Sequence, residues 1–113
     1  MTAFQWAVYE ADLDPVSGAE QKGTRPVLVV SNEEFNQAMP NVTVLPLTST
    51  SRRLYPSEVS LRAGQAGQPL DSIIMAHQVR TISKNRLRGL LGHLEDGKLQ
   101  EAVKSALREH LDL

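Results

Sequence analysis

The apolar residues of this chain come in short runs separated by turn residues, and this spacing constrains the fold more than any other feature. The runs are rich in β-branched side chains, which favours strands over helices. Strands are predicted over residues 6–13, 25–31, 41–48, 58–62 and 71–82, with one or two strands in the last range. Short strands at regular spacing predict a small twisted barrel.

The segment after Asp96 has a helical period instead. Asp96 can cap a helix whose apolar residues recur at steps of three and four. That stripe is Leu99, Ala102, Val103, Ala106, Leu107 and Leu111. His110 falls on it as well, and we expect a packed or boundary histidine there. The length of 113 residues fits one domain, 1–113, of α+β class: mainly β, with an amphipathic C-terminal helix.

Missing residue types exclude several chemistries. The chain has no cysteine, which excludes disulfides, zinc ribbons and thiol nucleophiles. Its histidines lack paired metal-ligand spacing, so we expect no metal and no other cofactor. No apolar run approaches the ~20 residues of a membrane span, and the first six residues lack the basic and apolar regions of a signal peptide. We therefore expect a cytoplasmic protein with no membrane partner.

The charge is unevenly distributed along the chain. The net charge is −1, but residues 1–50 carry −4, residues 51–92 carry +5 and residues 93–113 carry −2. A basic middle between acidic ends predicts one face for a polyanion. On charge alone, a merely solvated basic surface is the favoured alternative.

Arg25, Thr48 and Glu20 form the main candidate site. Arg25 precedes Pro26, which restricts its backbone to extended geometry, and its guanidinium can hold two phosphate oxygens. Thr48 ends an apolar strand, where its hydroxyl can donate to a phosphate. Glu20 lies in the polar loop before Arg25 and can pair with it or accept a proton. From spacing alone, an Arg25–Glu20 salt bridge is favoured, and Thr48 could simply cap the following turn.

His77, Gln78 and Arg80 are the supporting candidates. A histidine is the usual proton shuttle near neutral pH, although His77 could equally be a satisfied strand histidine. Together these residues suit RNA cleavage without metal. In that reaction the 2′-hydroxyl of the substrate attacks phosphorus, and the protein moves protons and stabilises charge.

Four ordered motifs resemble the MazF/PemK family and span about residues 8–95. They are DLDPVSGAEQKGTRPVLVVSN at 12–32, VLPLTS at 44–49, YPSEV at 55–59 and QVRTISKNRL at 78–87. The resemblance implies a toxin of a type II toxin–antitoxin pair. Such a toxin is a sequence-selective, metal-independent endoribonuclease that cuts single-stranded mRNA, leaving a 2′,3′-cyclic phosphate and a 5′-hydroxyl.

The resemblance also implies an SH3-like barrel that forms a symmetric homodimer, with an RNA groove across the interface that a MazE-like antitoxin fills with an acidic segment. Within the family pattern, Arg25 and Thr48 are catalytic, and Glu20 is functional. Substrate contacts are expected from Gln21, Ser49, Arg52, Arg53, Gln78 and Arg80.

The chain departs from the family pattern at several positions. Ala19 stands where some members have a histidine. Met75 and His77 replace an Arg and an Asp, so His77 is a candidate for proton transfer. Trp6 replaces a usual glycine, which leaves the start of the first strand open. Loops 49–56 and 63–69 are expected to shape base selection.

Two other functions remain open from the sequence. A related CcdB-like toxin would bind DNA gyrase through a C-terminal end bearing tryptophan, but the single tryptophan here is Trp6. A catalytically degenerate barrel would only bind RNA or antitoxin, and the presence of Arg25 and Thr48 argues against it.

Overall fold

The computed structural model of the chain describes residues 3–13 and 23–113. The strands are β1 Ala7–Asp12, β2 Thr24–Val29, β3 Asn41–Thr48, β4 Glu58–Leu61, β5 Ser72–Met75, β6 Arg80–Ser83 and β7 Leu87–His93. The α-helices are α1 Glu33–Ala38 and α2 Gly97–Leu111, and short 3-10 helices lie at Ala76–Gln78 and Lys84–Arg86. Within the described ranges, no helix is both long and apolar enough to cross a membrane.

The strands form an antiparallel sheet in the order β4-β5-β3-β2-β1-β7, with β6 also paired to β3. Its path ends at β4 and β7, so the sheet is open, although it is barrel-like as predicted. On the side away from β2, β3 pairs first with β6 and then with β5. Pro46 lies near this change of partner, on a central strand. Its missing N–H coincides with the break between these two pairings.

Alternating side chains give the sheet two apolar clusters on opposite faces. One cluster includes Val8, Leu28 and Leu45, and it packs against Val103 and Ala106 of α2. The other consists of Ala11, Leu13, Val27, Val29, Val42, Val44 and Ile82. Successive residues of the same strand therefore contribute to different cores, which fixes the register of β1, β2 and β3.

Helix α2 begins at the predicted cap. The Asp96 carboxylate accepts hydrogen bonds from the backbone N–H groups of Lys98 at 2.9 Å and Leu99 at 3.4 Å. The end of the predicted stripe is wrong at Leu111, which is 50% exposed, whereas the exposed His110 lies edge-on to the His77 ring, with 6.5 Å between the ring centroids. The last turn of α2 lies beyond the apolar surface that its middle covers.

Trp6 lies in the left-handed backbone region, with φ of 68°. Glycine adopts this conformation without steric strain, which gives a physical reason for the glycine that is usual in the family at this position. The backbone of Trp6 donates to the Val29 oxygen and accepts from Leu94, both at 2.8 Å. These bonds tie β2 to the residue after β7, and β1 starts at Ala7 despite the substitution.

Candidate active site

Strands β2 and β3 bring Arg25 and Thr48 to the same end of the sheet. Their antiparallel register pairs Val27 with Pro46. Arg25 and Thr48 each lie two residues further in opposite chain directions, so they stand on one level of the sheet. The Arg25 Nη1 atom donates to the Leu47 carbonyl oxygen at 3.5 Å, which directs the guanidinium toward the end of β3.

Arg25 and Thr48 line one cavity of about 260 Å³. Ser49, predicted as a substrate contact, is part of the same lining, and so is Glu10, which the sequence analysis did not single out. The lining also includes the segment Gln68–Leu70 and Ser72. The cavity therefore combines a cation, hydroxyl donors and a carboxylate within one space.

Gln68 holds this segment of the lining in place. Its side chain is buried, donates to the carbonyl oxygens of Arg62 and Leu70, and accepts from the Ala66 N–H. A buried amide with every polar atom bonded fixes the loop rigidly. Gln68 was missed because its partners are backbone atoms of its own loop, which no side-chain motif indicates.

The Thr48 hydroxyl also stabilises the turn after β3. It accepts from the Thr50 N–H at 3.3 Å and donates to the Thr50 hydroxyl at 3.2 Å. The turn-capping alternative is therefore observed. The turn cap is compatible with the position of Thr48 beside Arg25. It also orients the hydroxyl of this residue, which is 7% exposed.

A second cavity of about 300 Å³ adjoins the first. The two share Ser49 and Ser72, and the second extends along Ser51, Arg52 and Leu54. Together they form a polar groove that runs from Arg25 to Arg52. An extended chain with regularly spaced polar groups can lie in such a groove.

His77 lies outside the lining of both cavities. It belongs to a 3-10 helix rather than the predicted strand, and its Nε2 atom is 3.0 Å from Glu58 Oε2. The structure therefore does not bring His77 into the cavity lined by Arg25 and Thr48, and its role in proton transfer stays a prediction. The His77 ring is hydrogen-bonded to the buried carboxylate of Glu58, nineteen residues earlier, and sequence spacing gave no sign of this pair.

Gln78 and Arg80 also lie away from the groove lining. The Arg80 guanidinium donates to the Leu13 carbonyl oxygen at 3.4 Å, and Arg86 donates to the Asp12 carbonyl oxygen at 3.2 Å. Arg88 pairs with the Asp12 carboxylate at 3.5 Å. Part of the basic middle segment thus holds the end of β1.

The remaining predicted residues divide between exposed positions and the part of the chain outside the description. Arg53 is exposed beside Arg52. Glu20 and Gln21, together with Ala19, lie outside the described residues. Within residues 3–13 and 23–113, the structure therefore brings Arg25, Thr48 and Ser49 into one cavity.

Comparison with known proteins identifies the family. Residues 4–111 match the profile of the PemK-like, MazF-like toxins of type II toxin–antitoxin systems. The chain belongs to this family. It is 40% identical over 107 residues to endoribonuclease EndoA of Bacillus subtilis, covering 94% of this chain and 91% of that protein.

Solved structures agree with this assignment. A mycobacterial endoribonuclease in complex with its cognate antitoxin matches with a TM-score of 0.79 at 28% identity, covering 96% of this chain and 94% of that one. MazF from Deinococcus radiodurans matches with a TM-score of 0.83 at 24% identity and 96% coverage of both chains, which shows the common fold. The predicted family, fold class and endoribonuclease function are confirmed, and the gyrase-binding alternative is not supported.

Proposed function

We propose that this protein is an endoribonuclease toxin that cuts single-stranded mRNA in the groove between Arg25 and Arg52, without a metal ion or other cofactor. The observation that carries the proposal is the convergence of Arg25 and Thr48 on one cavity that continues into a polar groove. The family assignment supports the same activity.

In the proposed reaction, the 2′-oxygen of the substrate forms a bond to the adjacent phosphorus, and the bond from phosphorus to the 5′-oxygen breaks. The products carry a 2′,3′-cyclic phosphate and a 5′-hydroxyl. Negative charge builds on the non-bridging oxygens in the transition state. Arg25 neutralises that charge with its planar fork of donors, and the Thr48 hydroxyl turns its proton from Thr50 to the phosphate to donate a further hydrogen bond.

Two proton transfers complete the proposed reaction. One proton leaves the 2′-hydroxyl, and one is delivered to the departing 5′-oxygen. We propose that the Glu20 carboxylate accepts the first proton and that solvent water supplies the second. His77 takes no part in this scheme because its ring bonds to Glu58 outside the groove. Cleavage rates of Glu20→Gln and Glu10→Gln test the assignment: Glu20→Gln is expected to lose activity and Glu10→Gln to retain it, while the reverse outcome would give the role to Glu10.

The main experiment is cleavage of a long single-stranded RNA in EDTA. Wild type is expected to cut, and Arg25→Ala and Thr48→Val are each expected to lose about 100-fold or more in rate, the cost of one well-placed donor. Thr48→Ser keeps the hydroxyl and should keep most of the activity. Arg108→Ala, which removes an exposed guanidinium on α2 away from both cavities, is the matched control. Intact RNA with folded wild type would overturn the proposal.

We further propose that the protein works in the cytoplasm as a homodimer and is neutralised by a MazE-like antitoxin with an acidic segment. The antitoxin complex of the mycobacterial relative supports this partner class. Light scattering on the purified protein tests the dimer, because a monomeric mass at micromolar concentration would contradict it.

A further inference from the structure

A buried carboxylate organises the loop along the outer half of the groove. The Glu58 side chain is 0% exposed, and both of its oxygens accept from Arg52, through Nη1 and Nη2 at 2.8 Å each. The Tyr55 N–H donates to the same carboxylate at 2.7 Å, and a fourth hydrogen bond joins it to His77 Nε2 at 3.0 Å. Glu58 thus joins Arg52, which lines the second cavity, to Tyr55 and His77.

This arrangement changes what Arg52 can do. Its charge is balanced by the bidentate carboxylate, and a further hydrogen bond runs from Nη1 to the Arg53 carbonyl oxygen at 3.0 Å. An arginine bound in this way is poorly suited to hold a phosphate, which needs the same fork of donors. Arg52 was predicted to contact substrate, but these hydrogen bonds already occupy its fork of donors.

The flat face of Arg52 supports an exposed aromatic ring. The Arg52 Cζ atom lies 4.1 Å from the centroid of the Tyr55 ring, and Tyr55 is 56% exposed. Both faces of an aromatic ring can stack. The Arg52 guanidinium covers one face of the Tyr55 ring, and the exposed part of the ring remains available for stacking. Because Arg52 and Leu54 line the second cavity, this ring stands beside the groove.

Resting on the proposed RNA cleavage, we propose that Glu58 is a positioning residue: it holds Arg52 against Tyr55 so that the tyrosine ring forms a rigid stacking site for one unpaired base of the RNA. Stacking on an aromatic ring is sequence-tolerant and needs no hydrogen-bond pattern. The site would therefore increase affinity for single-stranded RNA, away from the scissile phosphate at Arg25 and Thr48.

The test measures KM and kcat separately on a single-stranded RNA oligonucleotide. Tyr55→Ala is expected to raise KM about 10-fold, within the range for loss of one stacked base, with kcat changed less than about 2-fold. Tyr55→Phe keeps the ring and should behave as wild type. Glu58→Gln offers an amide N–H₂ to a cluster of donors, so it should also raise KM by releasing Arg52 and Tyr55.

A double variant separates positioning from general stability. If Glu58 acts through Tyr55, Glu58→Gln combined with Tyr55→Ala should raise KM no further than Tyr55→Ala alone. Glu33→Gln is the matched control, because it removes another multiply hydrogen-bonded carboxylate far along the chain from the groove and should leave KM unchanged. A double variant whose KM rises by the product of the two single-variant factors would overturn the inference. An unchanged KM for Tyr55→Ala would overturn it as well.

Failure of the inference is distinguishable from failure of the proposed function. Wild type that leaves RNA intact would remove the nuclease assignment, and fluorescence anisotropy of a labelled RNA oligonucleotide would then test the stacking site by binding alone. If Glu58→Gln does not fold, Tyr55→Ala still decides the result, because the substitution is at an exposed side chain. Tyr55→Ala that binds as tightly as wild type would reject the site in either assay.

Discussion

Glu33 shows how one side chain can secure a terminus. Its carboxylate accepts from the backbone N–H groups of Phe4 at 3.0 Å and Gln5 at 2.8 Å, and from the side chains of Asn36 and Gln37. Burial alone would raise the pKa of Glu33, but these hydrogen bonds outweigh it and lower the pKa to about 2. The ionised form is thus favoured in the folded protein.

A pH dependence of stability follows from that lowered pKa. The unfolded carboxyl has its ordinary pKa of 4.5, so the stabilisation is complete above pH 4.5 and is lost as the pH falls toward about 2. Glu33→Gln should lower the free energy of unfolding at pH 7 by about 1–3 kcal/mol. As the pH falls from 4.5 to about 2, the free energy of unfolding should decrease less in this variant than in wild type. Glu34→Gln, at an exposed neighbour, should change it by less than about 0.5 kcal/mol. Urea unfolding at several pH values measures both; equal effects of the two substitutions would contradict the prediction.

Arg25 and Thr48 could be predicted from sequence because local rules place them. Proline fixes the strand after Arg25, and the apolar runs fix the register that makes Thr48 its neighbour. His77 could not be placed in the same way. Its partner Glu58 starts β4, and the hydrogen bond depends on the long-range pairing of β4 with β5, in which Glu58 faces Met75.

At the scale of elements, β7 and the loop before β5 meet through two glycines. Gly67 has φ of 86°, and a Cβ atom there would lie 2.1 Å from the Leu91 oxygen. A Cβ atom on Gly92 would lie 2.6 Å from the Ala66 oxygen. This close backbone approach positions the loop whose residues Gln68–Leu70 line the Arg25 cavity.

A series of alanine substitutions separates backbone strain from steric clash. Gly67→Ala should destabilise the fold by about 3 kcal/mol, because it combines an unfavourable φ with overpacking. Gly64→Ala has a similar φ of 84° and no neighbour within 4 Å among the described residues, so about 1 kcal/mol is expected. Gly89→Ala, in the open part of β7, should be within about 0.5 kcal/mol of wild type. Thermal unfolding measures the loss of stability in the three variants. A loss for Gly64→Ala as large as that for Gly67→Ala would show that the clash at Gly67 does not contribute.

The elements that sequence reasoning missed share a physical reason. Strand β7 contains Gly89 and Gly92, which lower strand propensity, yet its backbone is needed to pair with β1 and to approach Gly67. Helix α1 is only six residues long, too short for an apolar period. Its one sequence signal was the cap, since the Asn32 side chain accepts from the Phe35 N–H at 2.8 Å.

At the scale of the whole molecule, the net charge of −1 says little about RNA binding because the basic residues have different roles. Arg52 is balanced by Glu58, while Arg80 and Arg86 donate to carbonyl oxygens at the end of β1. Arg53 is exposed, and its guanidinium has no ion-pair partner in the described part of the chain. Position in the fold, rather than the count of charges, decides which arginines can meet a phosphate.

The salt dependence of RNA binding tests this division. Each phosphate contact contributes about 0.7 to the slope of log K against log salt for a single strand. Arg53→Ala should therefore reduce the slope by about 0.7 and leave the unfolding midpoint unchanged. Arg80→Ala should lower the midpoint, because the Leu13 carbonyl oxygen loses a donor, with little change in slope. Arg108→Ala should alter neither quantity. Anisotropy titrations with labelled RNA from 50 to 300 mM salt measure the slopes, and a slope that falls equally for all three variants would show that RNA responds to overall charge instead of to the placement of Arg53.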